Sequence, residues 1–178
     1  MKGVISMKKQ NKLTLALNVG CTFYDWSHII DPRIKKICDE NNISVVIAPN
    51  GSKFKYYIEI IGMLCYTDSE PPIIVIDLDF YDMNQNYAVF EFSIWHEICH
   101  IINNTDNELE CDMFAFEQMM SIYGRIGTCA IYGRLLELVY KYNRTTKTWD
   151  DTNIKNGYIH RKEDLVELNN FMAEYPYD

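Results

Sequence analysis

No two of the six cysteines are spaced as Cys-x-x-Cys, which excludes a zinc ribbon and a thioredoxin-like redox motif. They stand at 21, 38, 65, 99, 111 and 129 in a chain larger than the usual disulfide-stapled domain, so reduced thiols are the expected state. A basic excess is missing as well: 17 Lys and Arg face 25 Asp and Glu, for a formal charge of −8. Without spare cations to neutralise phosphates, direct binding to nucleic acid is not expected. No apolar run approaches the ~20 residues of a membrane-spanning helix, so no membrane partner is expected either. Leu13 to Val19 comes nearest to an export signal, but Thr14 and Asn18 interrupt it. The segment reads instead as a first β-strand or a frayed start, and the expected location is cytoplasmic. The Asn-, Ile- and Lys-rich wording points to a low-GC bacterium or its phage. Repeats and low-complexity tracts are also absent.

What the chain does have is enough apolar material for one core. Its 178 residues are 48% hydrophobic and 13% aromatic, which suits a single domain. Asp31-Pro32 spells a helix start, and Ile34, Ile37 and Cys38 form one face of a short helix after it. Ile43 to Ala48 and Ile73 to Phe80 are β-prone runs, and Tyr56 to Tyr66 holds one or two strands around Gly62. Helices are expected from about Asn86 to Ile102 and from about Asn107 to Tyr123, with Asn103 to Asp106 as the turn between them. Gly124 and Gly127 bracket the end of the second. A third carries Ile131, Leu135, Leu138, Val139 and Tyr142; a polar stretch from Asn143 to Gly157 reads as loop; Leu165, Leu168, Met172 and Tyr175 mark a last helix. Strands followed by helices predict an α+β fold, with a small twisted, mostly antiparallel sheet packed on a helix and a helical C-terminal half. The expected layout is a variable segment over 1–30, a catalytic core over 31–123 and a helical part over 124–178.

Chemistry concentrates in His96-Glu97-Ile98-Cys99-His100. Two His four residues apart share one helix face, one turn above the other, and can reach one ion. Zinc suits neutral imidazole, and a catalytic site keeps one position for water. A carboxylate at 97, next to the first ligand, can take that water's proton. Ile94, Trp95, Ile98, Ile101 and Ile102 provide apolar surface around the motif. Glu108 and Asp112 are one turn apart on the next helix. If the two helices run antiparallel, Glu108 meets His100 across the corner as third ligand. Asp112 then lies beside His96, where it accepts the free ring N–H and fixes the tautomer.

The pattern His-Glu-x-x-His followed by Glu-x-x-x-Asp resembles the gluzincin metallopeptidases. Glu108, Asp112, Phe114 and Ala115, with the strand at Ile73 to Asp77, resemble the small ImmA/IrrE-type peptidases in particular. The resemblance spans roughly Ile43 to Met120. It implies zinc held by His96, His100 and Glu108, catalysis by Glu97 and support by Asp112. It further implies endopeptidase action on a narrow protein substrate, such as a regulatory protein in phage or mobile-element control, and a cleft-bordering strand at Ile73 to Asp77 that pairs with an extended peptide. The helix-turn-helix that such enzymes often carry has no room in this sequence. Cys99 and Cys111 stand where that group has small residues.

Each of these residues also has a plainer reading. The histidines can be ordinary helix residues, and Thr105-x-x-Glu108 spells a capping box that would occupy Glu108. Glu110 is a rival third ligand. Cys99 and Cys111 can be packing residues or thiols that respond to redox state. Tyr123, Tyr132, His28 and His160 are candidates for stabilising an oxyanion. The competing functional class is a catalytically inactive, metallopeptidase-like module that binds a protein partner.

Overall fold

The computed structural model describes residues 11–49, 63–78, 87–145 and 170. Among these residues it is an α+β structure with a four-stranded sheet. The strands are β1 (Thr22–Phe23), β2 (Ser44–Ala48), β3 (Met63–Tyr66) and β4 (Ile73–Asp77), in the spatial order β1-β2-β4-β3. The outer pairs are antiparallel, but the central pair, β2 with β4, is parallel. The sheet is therefore mixed: two of its three pairings are antiparallel, in keeping with a mostly antiparallel sheet, and the central one is parallel. The reason lies in β4. All five of its residues are buried, so it needs cover on both faces and a neighbour on both edges. With β2 on one side and β3 on the other, β4 offers no edge to a peptide, which overturns the pairing expected there.

Alternating side chains feed two cores. Val45, Ile74 and Ile76 join Ile94, Trp95, Ile98 and Phe116 on one face. On the other face, Val46, Ala48, Ile73 and Val75 meet Ala16 and Cys21. That second face is covered by α1 (Lys12–Asn18), where a strand or frayed start was expected. Leu13, Ala16 and Val19 lie at helical spacing and pack on the sheet, while Leu15 and Leu17 stay exposed. Asn11 caps this helix by accepting from the Thr14 N–H at 2.9 Å.

The expected helix after Asp31 is α2 (Pro32–Glu40), capped by Asp31, which accepts from the Arg33 N–H at 3.0 Å. The other two α-helices among the described residues are α3 (Tyr87–Asn103) and α4 (Glu108–Thr145). Gly124 interrupts α4 with φ 64° and ψ 176°, a conformation open in practice only to glycine. A polar clasp fixes α2, α3 and α4 together. Buried Glu91 accepts from the N–H groups of Ile30 and Asp31 and from the Tyr123 hydroxyl at 3.2 Å. Buried Asp31 accepts from Arg33 and from the Trp95 indole N–H at 3.2 Å. Among the described residues, no helix is long and apolar enough to cross a membrane. The last predicted helix, the polar stretch beyond 145 and the run from Tyr56 to Gly62 lie outside the described residues.

Candidate metal centre

His96 and His100 lie on the buried side of α3 and face the start of α4. The corner between the helices places them. Asn104, at φ 49°, ends α3 in the left-handed conformation that Asn tolerates. The Thr105 N–H then bonds back to the His100 carbonyl at 3.3 Å, closing a Schellman-type cap. The same residue turns its own carbonyl to the His100 ring, with Nδ1 to O at 2.8 Å. Asn107 caps α4, its Oδ1 accepting from the N–H groups of Leu109 and Glu110 at 3.1 and 3.3 Å. The Thr105–Glu108 capping box is thus not formed, and Glu108 is left for the histidines. Glu110 points away from them and accepts from the Thr105 hydroxyl at 2.9 Å.

Four predicted residues converge. His96 Nε2 lies 3.0 Å from Glu108 Oε2 and 3.1 Å from His100 Nε2. Glu108 Oε1 is 3.7 Å from His100 Nε2. Asp112 Oδ1 is 2.6 Å from His96 Nδ1. A carbonyl oxygen only accepts, so His100 carries its proton on Nδ1 and presents a lone pair at Nε2. Neutral His96, donating from Nδ1 to Asp112, does the same. With both rings neutral, two nitrogen lone pairs and a carboxylate face one point and repel one another; a proton on His96 Nε2 relieves this in the metal-free chain, and a metal ion would relieve it in its place. A tetrahedral zinc with ligands at about 2.0–2.1 Å sets its donor atoms about 3.3–3.4 Å apart, close to the separations found here.

A second donor set overlaps the first. Potential ligand atoms of His96, His100 and Cys111 all lie within 4.8 Å of one another, a group able to hold a metal ion. Cys111 also pairs with Cys99. That hydrogen bond, followed by burial and the charges of Glu108 and Glu97, raises the Cys111 thiol far above its ordinary range. The hydrogen bond from Cys111 lowers Cys99. None of the six cysteines is joined in a disulfide.

Glu97 is buried, and the Cys65 thiol of β3 donates to its carboxylate. Burial, then the charge of Glu97, pushes the Cys65 thiol up. Sequence reasoning did not find this contact, because it depends on β3 running along the outer side of β4. Nor did it find the Thr105 carbonyl, although Asn-Asn-Thr after a helix is a cap signal. Neither tyrosine offered as an oxyanion stabiliser points at the histidine pair: Tyr123 donates to Glu91 and Tyr132 to Asp112. His28 is exposed in a short turn over Trp26–His28, and His160 lies outside the described residues.

Burial works to keep His96 uncharged, but the charge and hydrogen bond of Asp112, with Glu108, outweigh it and hold the imidazole well above the usual histidine range. In the metal-free chain, the folded value exceeds the unfolded value of about 6.5. The resulting stabilisation is complete below about pH 6.5 and is lost as the pH rises through the folded value. In chelator, the melting temperature should therefore fall as the pH is raised from 6.5 to 9, and His96→Gln should flatten that slope. An unchanged slope in the variant would refute this account.

Comparison of the chain with models of known families, with curated proteins and with solved structures returned no match.

Proposed function

We propose that this chain is a zinc-dependent endopeptidase similar to the gluzincins, and to the small ImmA/IrrE-type peptidases among them, acting on a narrow protein substrate such as a regulatory protein. One observation carries the reading: both Nε2 lone pairs and the Glu108 carboxylate aim at a single point at separations that suit zinc. His96, His100 and Glu108 would hold the ion. Bound there, zinc supplies a Lewis acid and makes water more acidic. Asp112 and the Thr105 carbonyl hold the two rings in the tautomer that presents Nε2. Glu97 takes a proton at its carboxylate as water is activated and returns it to the leaving amine. An extended peptide would run along β3, the outermost of the described strands on that side of β4 and the one that touches Glu97.

Glu108 is preferred over Cys111 as third ligand because its oxygens already lie 3.0 and 3.7 Å from the two nitrogens. The Cys111 proton is held by Cys99 and the nearby carboxylates. Zinc affinity measured by chelator competition tests the choice. Glu108→Ala should weaken binding at least 100-fold, and Cys111→Ala by less than about threefold, since loss of even a ligand's hydrogen-bond partner costs 10–100-fold. The reverse order would make the centre a His-His-Cys site.

A further inference from the structure

We infer that Tyr132 is a positioning residue of the metal centre, the outer end of a relay from Tyr132 through Asp112 to His96, and that the break at Gly124 delivers it there. The inference rests on the metal-centre reading above.

Twenty residues separate Asp112 from Tyr132. Along an unbroken helix they would stand about 30 Å apart, at 1.5 Å per residue. Instead, the Tyr132 hydroxyl donates to Asp112 Oδ2 at 2.7 Å. The chain can return only because Gly124 leaves helical geometry, at φ 64° and ψ 176°. Thr128 secures the restart, its hydroxyl donating to the Gly124 carbonyl at 2.8 Å. Tyr132 is 4% exposed, and its ring packs on Phe92 of α3 with centroids 5.3 Å apart. The ring is thus gripped by the helix that bears His96.

Asp112 divides its two oxygens between two tasks. Oδ1 faces His96 Nδ1 at 2.6 Å, and Oδ2 accepts from Tyr132. A carboxylate rotates about its last bond unless both oxygens are held. The hydroxyl fixes the plane in which Oδ1 meets the imidazole, and through it the direction of His96 Nε2. Metal affinity depends on such outer partners almost as it does on the ligands. Tyr132 reaches the site through one more bond than Asp112 does, so its removal should cost less than the 10–100-fold typical of a ligand's direct partner.

The test is a zinc-affinity cycle by chelator competition on the full chain: wild type, Tyr132→Phe, Asp112→Asn and the double variant. Tyr132→Phe should weaken zinc by about threefold to tenfold in the wild-type background and by less than twofold in the Asp112→Asn background, because the hydroxyl acts only through Asp112. Histidine-selective ¹⁵N NMR supplies a readout that a packing role would not move: Tyr132→Phe should shift His96 Nδ1 and leave His100 unchanged. Should the Phe variant fail to fold, 3-fluorotyrosine at 132 keeps the ring and strengthens the donor, and the His96 Nδ1 signal must still move. Equal zinc losses in both backgrounds, or an unmoved His96 signal, overturn the relay. Absence of zinc binding by the wild type would instead overturn the metal-centre reading itself.

Discussion

Glu97→Gln should retain one equivalent of zinc and lose peptide hydrolysis by about 10²–10⁴-fold, the usual contribution of a general base. Glutamine keeps the size and shape of the buried Glu97 side chain and can still accept from the Cys65 thiol, so the fold should be undisturbed. It cannot take a proton. Neither His96 nor His100 can substitute, because each ring is already committed at Nδ1, to Asp112 and to the Thr105 carbonyl. The measurement is cleavage of a peptide library read by mass spectrometry, with metal content determined on the same samples. A zinc-loaded Gln variant that cleaves as fast as wild type would remove hydrolysis by Glu97 from consideration. If neither protein cleaves, yet a biological effect survives the substitution, the chain is a metal-dependent binding module.

His100→Ala should cost the protein its metal altogether. The wild type should carry one equivalent of zinc after non-chelating purification, and the variant less than about a tenth. The substitution also leaves His96 Nε2 and the Glu108 carboxylate without the third arm of the proposed site. On the proposed reading zinc binds the folded chain alone, so it should raise the wild-type melting temperature, with about 2.7 kcal/mol gained at free zinc 100 times Kd. The variant should show no such rise. A His100→Ala protein that still takes up stoichiometric zinc and is stabilised by it would place the metal somewhere other than the helix corner.

Much of this centre was legible because helical periodicity is a strong constraint. His96 and His100 share a face, Glu108 and Asp112 share another, and a short turn opposes the two. Side-chain letters at fixed spacing were sufficient for that. The Thr105 carbonyl was illegible because a backbone oxygen has no letter of its own. The capping box failed because two residues competed for one task, and Asn107, immediately before the helix, had the better position. The fold of the N-terminus was misjudged because Leu13, Leu15 and Leu17 suggest alternation, whereas the buried set is Leu13, Ala16 and Val19. The parallel pairing of β2 with β4 is a matter of long-range order that local propensity does not encode. The contact of Tyr132 with Asp112 was illegible, since Gly124 marked an end in the sequence but not a reversal.

The corner at Asn104 to Asn107 has a bearing on how such a chain tolerates change. Each residue added to a helix advances its facing by about 100°. The corner is pinned at both ends, by the Thr105 back-bond and by the Asn107 cap. An insertion of one residue there would swing Glu108 a quarter-turn or more off target even with every functional letter intact. The length of four unremarkable residues is therefore as much a part of the histidine cluster as the imidazoles, and substitution will be forgiven at this bend far more readily than a change of count.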